Sequence, residues 1–419
     1  MARMKKRTAL PVLLYSILII LAGCQKGDLD TLQREVLFSL SYGKSEDELT
    51  FFHESGMKLP EARVAMSGGI VYVGTKQGRK VMKFNSYGDL IGLFYNDETN
   101  PEPVLLSSGL PEEYVSTRQA FPYPLSNIGD ISVTREHRIL VQDEINEQRQ
   151  EFDPELDAML DQIVLRFSRE GTLVDFLGQE GSGGTPFPYI ERISTTVNGE
   201  TVVMCRTQVK WIIYWFTREG FLKYKVDFDL KSLPVPEDYQ NSIPSMGTIF
   251  SDLEQDRLYV KIDYYQDRPD ELAENRSGIQ FVTSFIHIFD ISLEQYITQL
   301  EIPEHFRSQD SADLLSFDRV RMIYRFLGVS RGGHLFLLAP SENNEYELMI
   351  FTADGKVIKR VVVTLNDMEN IHRDFYITPE GIVCALICEE EGADVLWWRT
   401  DQYIVQEDEQ GKIFRTERN

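Results

Sequence analysis

Short runs of β-branched and aromatic residues recur along the chain, each ending in a tight-turn cluster of Asn, Asp, Ser, Thr and Gly. The turn is quoted four times with little change: Phe84-Asn-Ser-Tyr-Gly88, Phe167-Ser-Arg-Glu-Gly171, Phe216-Thr-Arg-Glu-Gly220 and Phe351-Thr-Ala-Asp-Gly355. Phe289-Asp-Ile-Ser-Leu293 keeps the frame without the glycine, and Trp398-Arg-Thr-Asp-Gln402 is a weaker sixth copy. Each copy begins with a short polar side chain able to bond its own backbone, and glycine then supplies positive φ, so these read as hairpin turns. A second hairpin signal lies upstream of every copy: Ser67-Gly-Gly-Ile-Val-Tyr-Val73, Glu136-His-Arg-Ile-Leu-Val141, Asn198-Gly-Glu-Thr-Val-Val203, Asp256-Arg-Leu-Tyr-Val260, Gly332-Gly-His-Leu-Phe-Leu337 and Glu380-Gly-Ile-Val-Cys384.

Two hairpins per unit make a four-stranded antiparallel sheet. Six such units between Ala62 and the C-terminus, about 60 residues each, predict an all-β ring of six blades, a β-propeller, with the excess length in insertions. A β-sandwich is the other all-β architecture, but it gives no reason for the two-hairpin unit to repeat six times. A ring must also close, because an open edge exposes unpaired backbone donors and acceptors. Glu35-Val-Leu-Phe-Ser-Leu-Ser-Tyr-Gly43 reads as the outer strand of the last blade; the alternative is closure by Lys412-Ile-Phe-Arg-Thr416. The domain plan is a leader at 1–23, a lipidated Cys and tether at 24–33, and one propeller over 34–419.

The leader is read from Arg3, Lys5, Lys6 and Arg7 followed by an apolar run from Ala9 to Ala22, a charged n-region and an h-region too short to span a bilayer comfortably. It ends in Leu21-Ala22-Gly23-Cys24, which resembles a bacterial lipobox. That resemblance implies acylation of Cys24 and cleavage before it; an ordinary signal peptide or an uncleaved anchor is the alternative. Gln25 replaces the Asp of an inner-membrane retention signal, and by resemblance to the enterobacterial sorting rule this favours the outer membrane. Lipid would be the chain's one membrane contact, since more than one acyl chain gives lasting attachment.

Charge narrows the partners. Against 43 Lys plus Arg stand 66 Asp plus Glu, a net charge of −23, which becomes −27 once residues 1–23 and their four cations are removed. A field of that sign repels phosphate backbones, so no nucleic-acid partner is expected. Beyond Cys24 only Cys205, Cys384 and Cys388 are left, an odd number that excludes a full disulfide framework. Cys384 and Cys388 sit four residues apart on one predicted strand, roughly 13 Å, beyond disulfide reach, and are expected to be buried and free.

Gly178-Gln-Glu-Gly181-Ser-Gly-Gly184-Thr-Pro-Phe187, then a strand, the Asn198-Gly199 turn, another strand and Phe216-Thr-Arg-Glu-Gly220, resembles an NHL-type propeller repeat, and the loose match covers most of residues 34–407. The lipobox together with Lys83-Phe-Asn-Ser-Tyr-Gly-Asp-Leu90 and Tyr95-Asn-Asp-Glu-Thr-Asn-Pro101 resembles a spirochaete lipoprotein family without an assigned activity. The Asp-x-x-Asn that often follows the second strand of NHL repeats is absent from Val73-Gly-Thr-Lys-Gln-Gly78, so no ligand tied to it is carried over.

In a propeller the loops joining the second to the third strand, and each blade to the next, share one face. The long segments fall there: Gln142 to Gln162, Asp263 to Thr283, Tyr95 to Asn127, Asp229 to Ser245 and Pro303 to Arg321. Long loops on a rigid scaffold mark that face as the interaction surface. Glu144 to Asp161 is acidic with Phe152, Leu156, Met159 and Leu160 at helix-compatible spacing, and Phe121-Pro-Tyr-Pro124 and Phe187-Pro-Tyr189 offer rings that stack on a sugar or peptide or simply plug the ring.

The innermost strands line the central channel and carry Arg63, Asp130, Glu191 or Arg192, Arg325, and Arg373 or Asp374. Alternation turns one of each neighbouring pair inward. Arg63, Asp130, Arg192, Arg325 and Arg373 are the candidate contacts for an anionic or zwitterionic small ligand; the alternative is charge pairs that close the channel. Of six histidines, His53, His305 and His372 fall on the long-loop side, but none has metal-motif spacing, and no nucleophile elbow, phosphate loop or dinucleotide fingerprint occurs. The reading is therefore a monomeric, lipid-anchored binding or scaffold module for an envelope protein or glycan, with no cofactor, metal or catalytic residue assigned. A metal-dependent hydrolase or lyase on the same ring is the alternative.

Overall fold

The computed structural model describes residues 29–52, 60–106, 118–269, 277–310, 317–342, 345–365 and 371–404. Six four-stranded antiparallel blades form a β-propeller. The inner strands of blades 1 to 6 are Ala62–Ser67, Ile131–Val133, Ile190–Thr195, Ile243–Ser251, Arg325–Ser330 and His372–Ile377. The two middle strands of each blade are covered on both faces by neighbouring blades, so they read as unbroken apolar runs: Val383–Cys388 is buried throughout, and so is Lys210–Phe216 after its first residue. Outer strands such as Leu222–Asp229 have one wet face and alternate.

The repeated turn works as its residues dictate. Asn85 Oδ1 accepts the backbone N–H of Tyr87 and of Asp89, Gly88 takes φ +84°, and Glu294 takes the positive-φ place in the blade-4 copy that lacks glycine. In blade 6 no outer strand follows Trp398 among the described residues; a short 3-10 turn, Thr400–Tyr403, comes next. The outer strand there is Glu35–Ser41, paired antiparallel with Gly392–Trp398 from Glu35↔Trp397 to Ser41↔Gly392. Leu40 seats in the apolar layer between blades 6 and 1 with Leu49, Phe51, Val64, Cys384, Leu386 and Val395. Just upstream, Val362 on the outer strand of blade 5 donates to Asp30 O (2.9 Å) and accepts from Leu32 N (2.8 Å), so residues 30–41 strap two blades together. The alternative closing strand at Lys412–Thr416 lies outside the described residues, as does the leader with Cys24.

Several loop expectations are corrected. The acidic segment between Glu144 and Gln162 is not a helix: after a 3-10 turn at Glu147–Arg149 it forms a hairpin, Glu151–Asp153 against Ala158–Leu160. Pro154 lacks the donor a helix interior needs, Asp153 Oδ1 accepts the Glu155 and Leu156 N–H groups, and Asp157 sits at φ +48°. The insertion of blade 4 is an extension of its own strands, Arg257–Pro269 paired with Ser277–Asp290, and that between blades 4 and 5 holds the hairpin Phe306–Asp310/Phe317–Arg321. Gln119–Pro122 adds a fifth, parallel strand to blade 1. Its Phe121 stacks on Phe94 (4.9 Å), Tyr123 packs edge-on to Phe167 (5.3 Å), and Phe187 is fully buried beside Tyr214; these rings fill the gaps between blades.

Candidate functional site: the charged end of the channel

The inner strands start at the face that carries the long connections, and their charged residues fall near that start. Turn hydrogen bonds fix a common register: Thr134 N to Arg138 O, Thr196 N to Glu200 O, Asp252 N to Arg257 O and Thr378 N to Ile382 O. Four residues before each of these turn residues stand Asp130, Arg192, Thr248 and Asp374. Arg63 in blade 1 and Arg325 in blade 5 also line the channel. Signs thus alternate round the ring from blade 5 to blade 3 (Arg325, Asp374, Arg63, Asp130, Arg192), and blade 4 lines the cavity with uncharged Phe250, Ser251 and Leu253. The cavity they enclose has a volume of about 170 Å³, and its deeper wall is apolar and hydroxylic, with Ser194, Thr195, Phe250, Ser251, Leu327 and Ile377.

The carboxylates are committed to the seams between blades. Asp374 accepts the Val64 N–H at 2.8 Å and pairs with Arg63 Nη1 at 3.2 Å, joining blade 6 to blade 1. Asp130 Oδ2 accepts the Ile193 N–H at 2.7 Å, joining blade 2 to blade 3. Burial pushes Asp130 above the usual carboxylate range, opposed by Arg192 and Arg63. Burial works against the charge of Arg63 as well, yet Asp374 and then Asp130 outweigh it and hold that guanidinium above its ordinary value.

Arg192 and Arg325 are placed differently. Neither guanidinium hydrogen-bonds or ion-pairs with any described residue. Each lies near an aromatic ring instead, Arg192 Cζ 4.3 Å from the centroid of Phe250 and Arg325 Cζ 5.5 Å from that of Phe375. Arg192 Nε is buried without a partner. Burial lowers Arg325 below the usual guanidinium range; Asp374 opposes this, while Arg192, Arg373 and Arg63 reinforce it. Glu191 also borders the cavity, through a bulge after Ile190, and meets Arg206 Nε at 3.5 Å. Arg206 in turn lies over the half-exposed ring of Tyr189 at 5.6 Å.

Four of the five expected channel residues, Arg63, Asp130, Arg192 and Arg325, therefore converge. Arg373 does not: it points away from the channel, donates to Tyr346 Oη at 2.9 Å and lies 5.0 Å from that ring, while Asp374 faces inward. Strand alternation permits only one of the pair inside, and the Val64 N–H and Arg63 select the carboxylate. Sequence reading missed the pairing of Glu191 with Arg206 and the role of Phe250; the bulge that turns two consecutive side chains toward the cavity has no sequence signal.

Elsewhere, His305 Nε2 bonds Pro340 O at 2.9 Å and His372 Nε2 bonds Ala62 O at 2.7 Å, while His53 lies outside the described residues. Among the described residues no three His, Cys, Asp or Glu side chains come together as metal ligands. Cys205, Cys384 and Cys388 are free and buried, with burial pushing the thiols of Cys384 and Cys388 up to about 12. A larger open groove of about 1100 Å³ runs along the closing strand at the rim, lined by Glu389, Glu390, Glu391 and Asp394, with no cationic side chain and no convergent buried group.

No protein-family description matches the chain, and no curated protein matches it in sequence. Solved structures do. The Dos1 propeller is 12% identical over 83% of this chain and 69% of its own, with a TM-score of 0.34. An ulvan lyase, a polysaccharide lyase, is 13% identical over 87% and 83%, TM-score 0.39, and a gluconolactonase from Xanthomonas campestris is 12% identical over 89% and 98%, TM-score 0.37. At this level of identity the likeness concerns the fold alone.

Proposed function

We propose that this protein is a lipid-anchored cell-envelope lipoprotein, with an NHL-type propeller, that presents its long-loop face to an envelope protein or glycan. The observation that carries the reading is the asymmetry of the connections. On one face no link exceeds five residues, as at 134–138 and 217–221; on the other lie 145–161, 96–130, 230–242 and 302–324. Rigid middle strands fix the ring, so sequence added on one side leaves the fold intact and varies only what that side touches. The Leu21-Ala22-Gly23-Cys24 ending supports the anchor, and Gln25 supports the outer membrane. The net charge of −23 supports a partner other than nucleic acid, and also an attachment to anionic lipid through acyl chains rather than through the body.

The test is affinity capture from native envelopes with residues 25–419 as bait, beside an unrelated acidic protein of similar charge. A partner enriched only by the propeller, and lost when the 145–161 hairpin is replaced by a short turn, supports the reading; equal recovery on both baits refutes it. The anchor is tested separately by Cys24→Ser, which should block fatty-acid labelling and shift the chain from the membrane to the soluble fraction.

A further inference from the structure

We propose that the channel binds a small organic carboxylate between Arg192 and Arg325, on the blade-4 side of the charged ring. The charges lining the channel do not cancel. Three guanidinium groups, Arg63, Arg192 and Arg325, face two carboxylates, Asp130 and Asp374, and the remaining acid of the wall, Glu191, has Arg206 Nε as its counter-charge at 3.5 Å, without a hydrogen bond. The ring therefore carries surplus positive charge inside a protein whose net charge is −23. Arg63 has its acid in Asp374 and Arg192 is the main charge opposing Asp130, while the blade between Arg192 and Arg325 lines the cavity with uncharged Phe250, Ser251 and Leu253.

The donors there are unspent. A guanidinium presents five N–H groups in a planar fork, and those of Arg192 and Arg325 reach no acceptor among the described residues. Arg325 is exposed and water reaches its donors, so the cost of an unmet donor falls on Arg192, whose Nε is buried and unpaired. Phe250 and Phe375 lie beside the two guanidinium groups and restrict where each can turn, so the forks are partly pre-organised. A carboxylate matches such a fork bidentately. The cavity volume of about 170 Å³ limits the ligand to roughly ten non-hydrogen atoms, well below the usual drug-sized site. Its wall, Phe250 and Leu327 with the hydroxyls of Ser194 and Ser251, fits a short tail that is apolar or bears a hydroxyl.

This site is independent of the loop-face partner, so the two readings fail separately. The experiment is calorimetric titration of the full-length chain in detergent, in chloride buffer, with propionate and benzoate and with their neutral isosteres propionamide and benzamide. Both carboxylates should bind at least about tenfold more tightly than the amides, since the charge-assisted bonds to two arginines are lost in the amide. Arg192→Met and Arg325→Met should each weaken carboxylate binding by about tenfold or more. Arg373→Met, one residue from Asp374 but outside the channel, should leave it within about threefold. Equal affinity for acid and amide, no carboxylate binding up to about 20 mM, or unchanged binding in both arginine variants would overturn the proposal. The acid–amide comparison uses the unmodified chain, so a variant that misfolds does not shield the idea.

Discussion

Asp374→Ala tests whether the channel charges also hold the ring shut. The residue is 8% exposed and makes two bonds across the seam between the last and first blades, to Val64 N at 2.8 Å and to Arg63 Nη1 at 3.2 Å. Removing the carboxylate leaves the buried Val64 N–H without an acceptor, at about 1–3 kcal/mol. It also strips Arg63 of its ion pair, with Nε of that guanidinium already unpartnered. Together these approach the 3–5 kcal/mol usual when one member of a buried pair is deleted. Arg373→Ala, on the same strand, removes the bond to Tyr346 Oη and the contact with that ring on the outer side and should cost less than Asp374→Ala, about 1 kcal/mol. The assay is urea unfolding followed by tryptophan fluorescence; Trp398, buried 6.4 Å from the Phe375 ring, reports on this blade. The double variant Arg63→Met/Asp374→Ala should be less unstable than the two single losses added, by about 2 kcal/mol, because the cation left behind by Asp374→Ala is gone. Additive effects, or a loss below about 1 kcal/mol for Asp374→Ala, would refute the account of a structural pair.

Other perturbations test other links in the chain. Gly178→Ala should destabilise by more than about 2 kcal/mol in the same unfolding assay, because its Cβ would lie 2.3 Å from Gly184 O and 2.4 Å from Thr185 O, backbone that cannot swing aside. A chain lacking residues 29–41 should aggregate or self-associate by light scattering, since it exposes the Gly392–Trp398 edge and uncovers the layer that Leu40 seals; a stable monomer would mean that the ring does not need this strand. His287 is buried, with burial pulling its pKa down to about 4, and Tyr264 Oη, which donates to Pro234 O, accepts from His287 Nε2. The unfolded chain binds this proton below about pH 6.5 and the folded one does not, so stability falls from pH 6.5 toward 4 by up to about 3 kcal/mol. Asp143, raised by burial to about 6, acts in the opposite sense over an overlapping range. The readout is therefore the gap between wild type and His287→Gln, which should close as the pH is lowered from 7 to 4.5; a constant gap would refute it.

Most of the ring was legible because its signals are local. A turn such as Phe216-Thr-Arg-Glu-Gly220 encodes its own hairpin through Thr217 N to Phe221 O and a glycine at φ +99°, and neither depends on distant residues. The closing strand was legible for a related reason: an apolar run ahead of the first full unit has no partner but the unpaired edge of the last. The acidic segment after Glu144 was misread because four apolar residues at Phe152, Leu156, Met159 and Leu160 satisfy a helical period, and only the turn chemistry of Asp153-Pro154 argues otherwise. Within the candidate site, alternation reduced each neighbouring pair to one inward residue without saying which. Arg373 and Asp374 are separated by a partner 310 positions away, Val64 N, which no local pattern contains.

Sequence by itself determined the strand units, their number, the side on which extra length accumulates and the residue types facing the axis, because backbone hydrogen bonding and two-residue periodicity act over a few positions. Tertiary structure decided which charges meet. Coulomb and hydrogen-bond energies in a narrow channel depend on distances of a few ångströms between strands far apart in the chain. Closure of the ring sets those distances, and with them the engagement of Arg63 by Asp374 and the unpaired Nε of Arg192 beside blade 4.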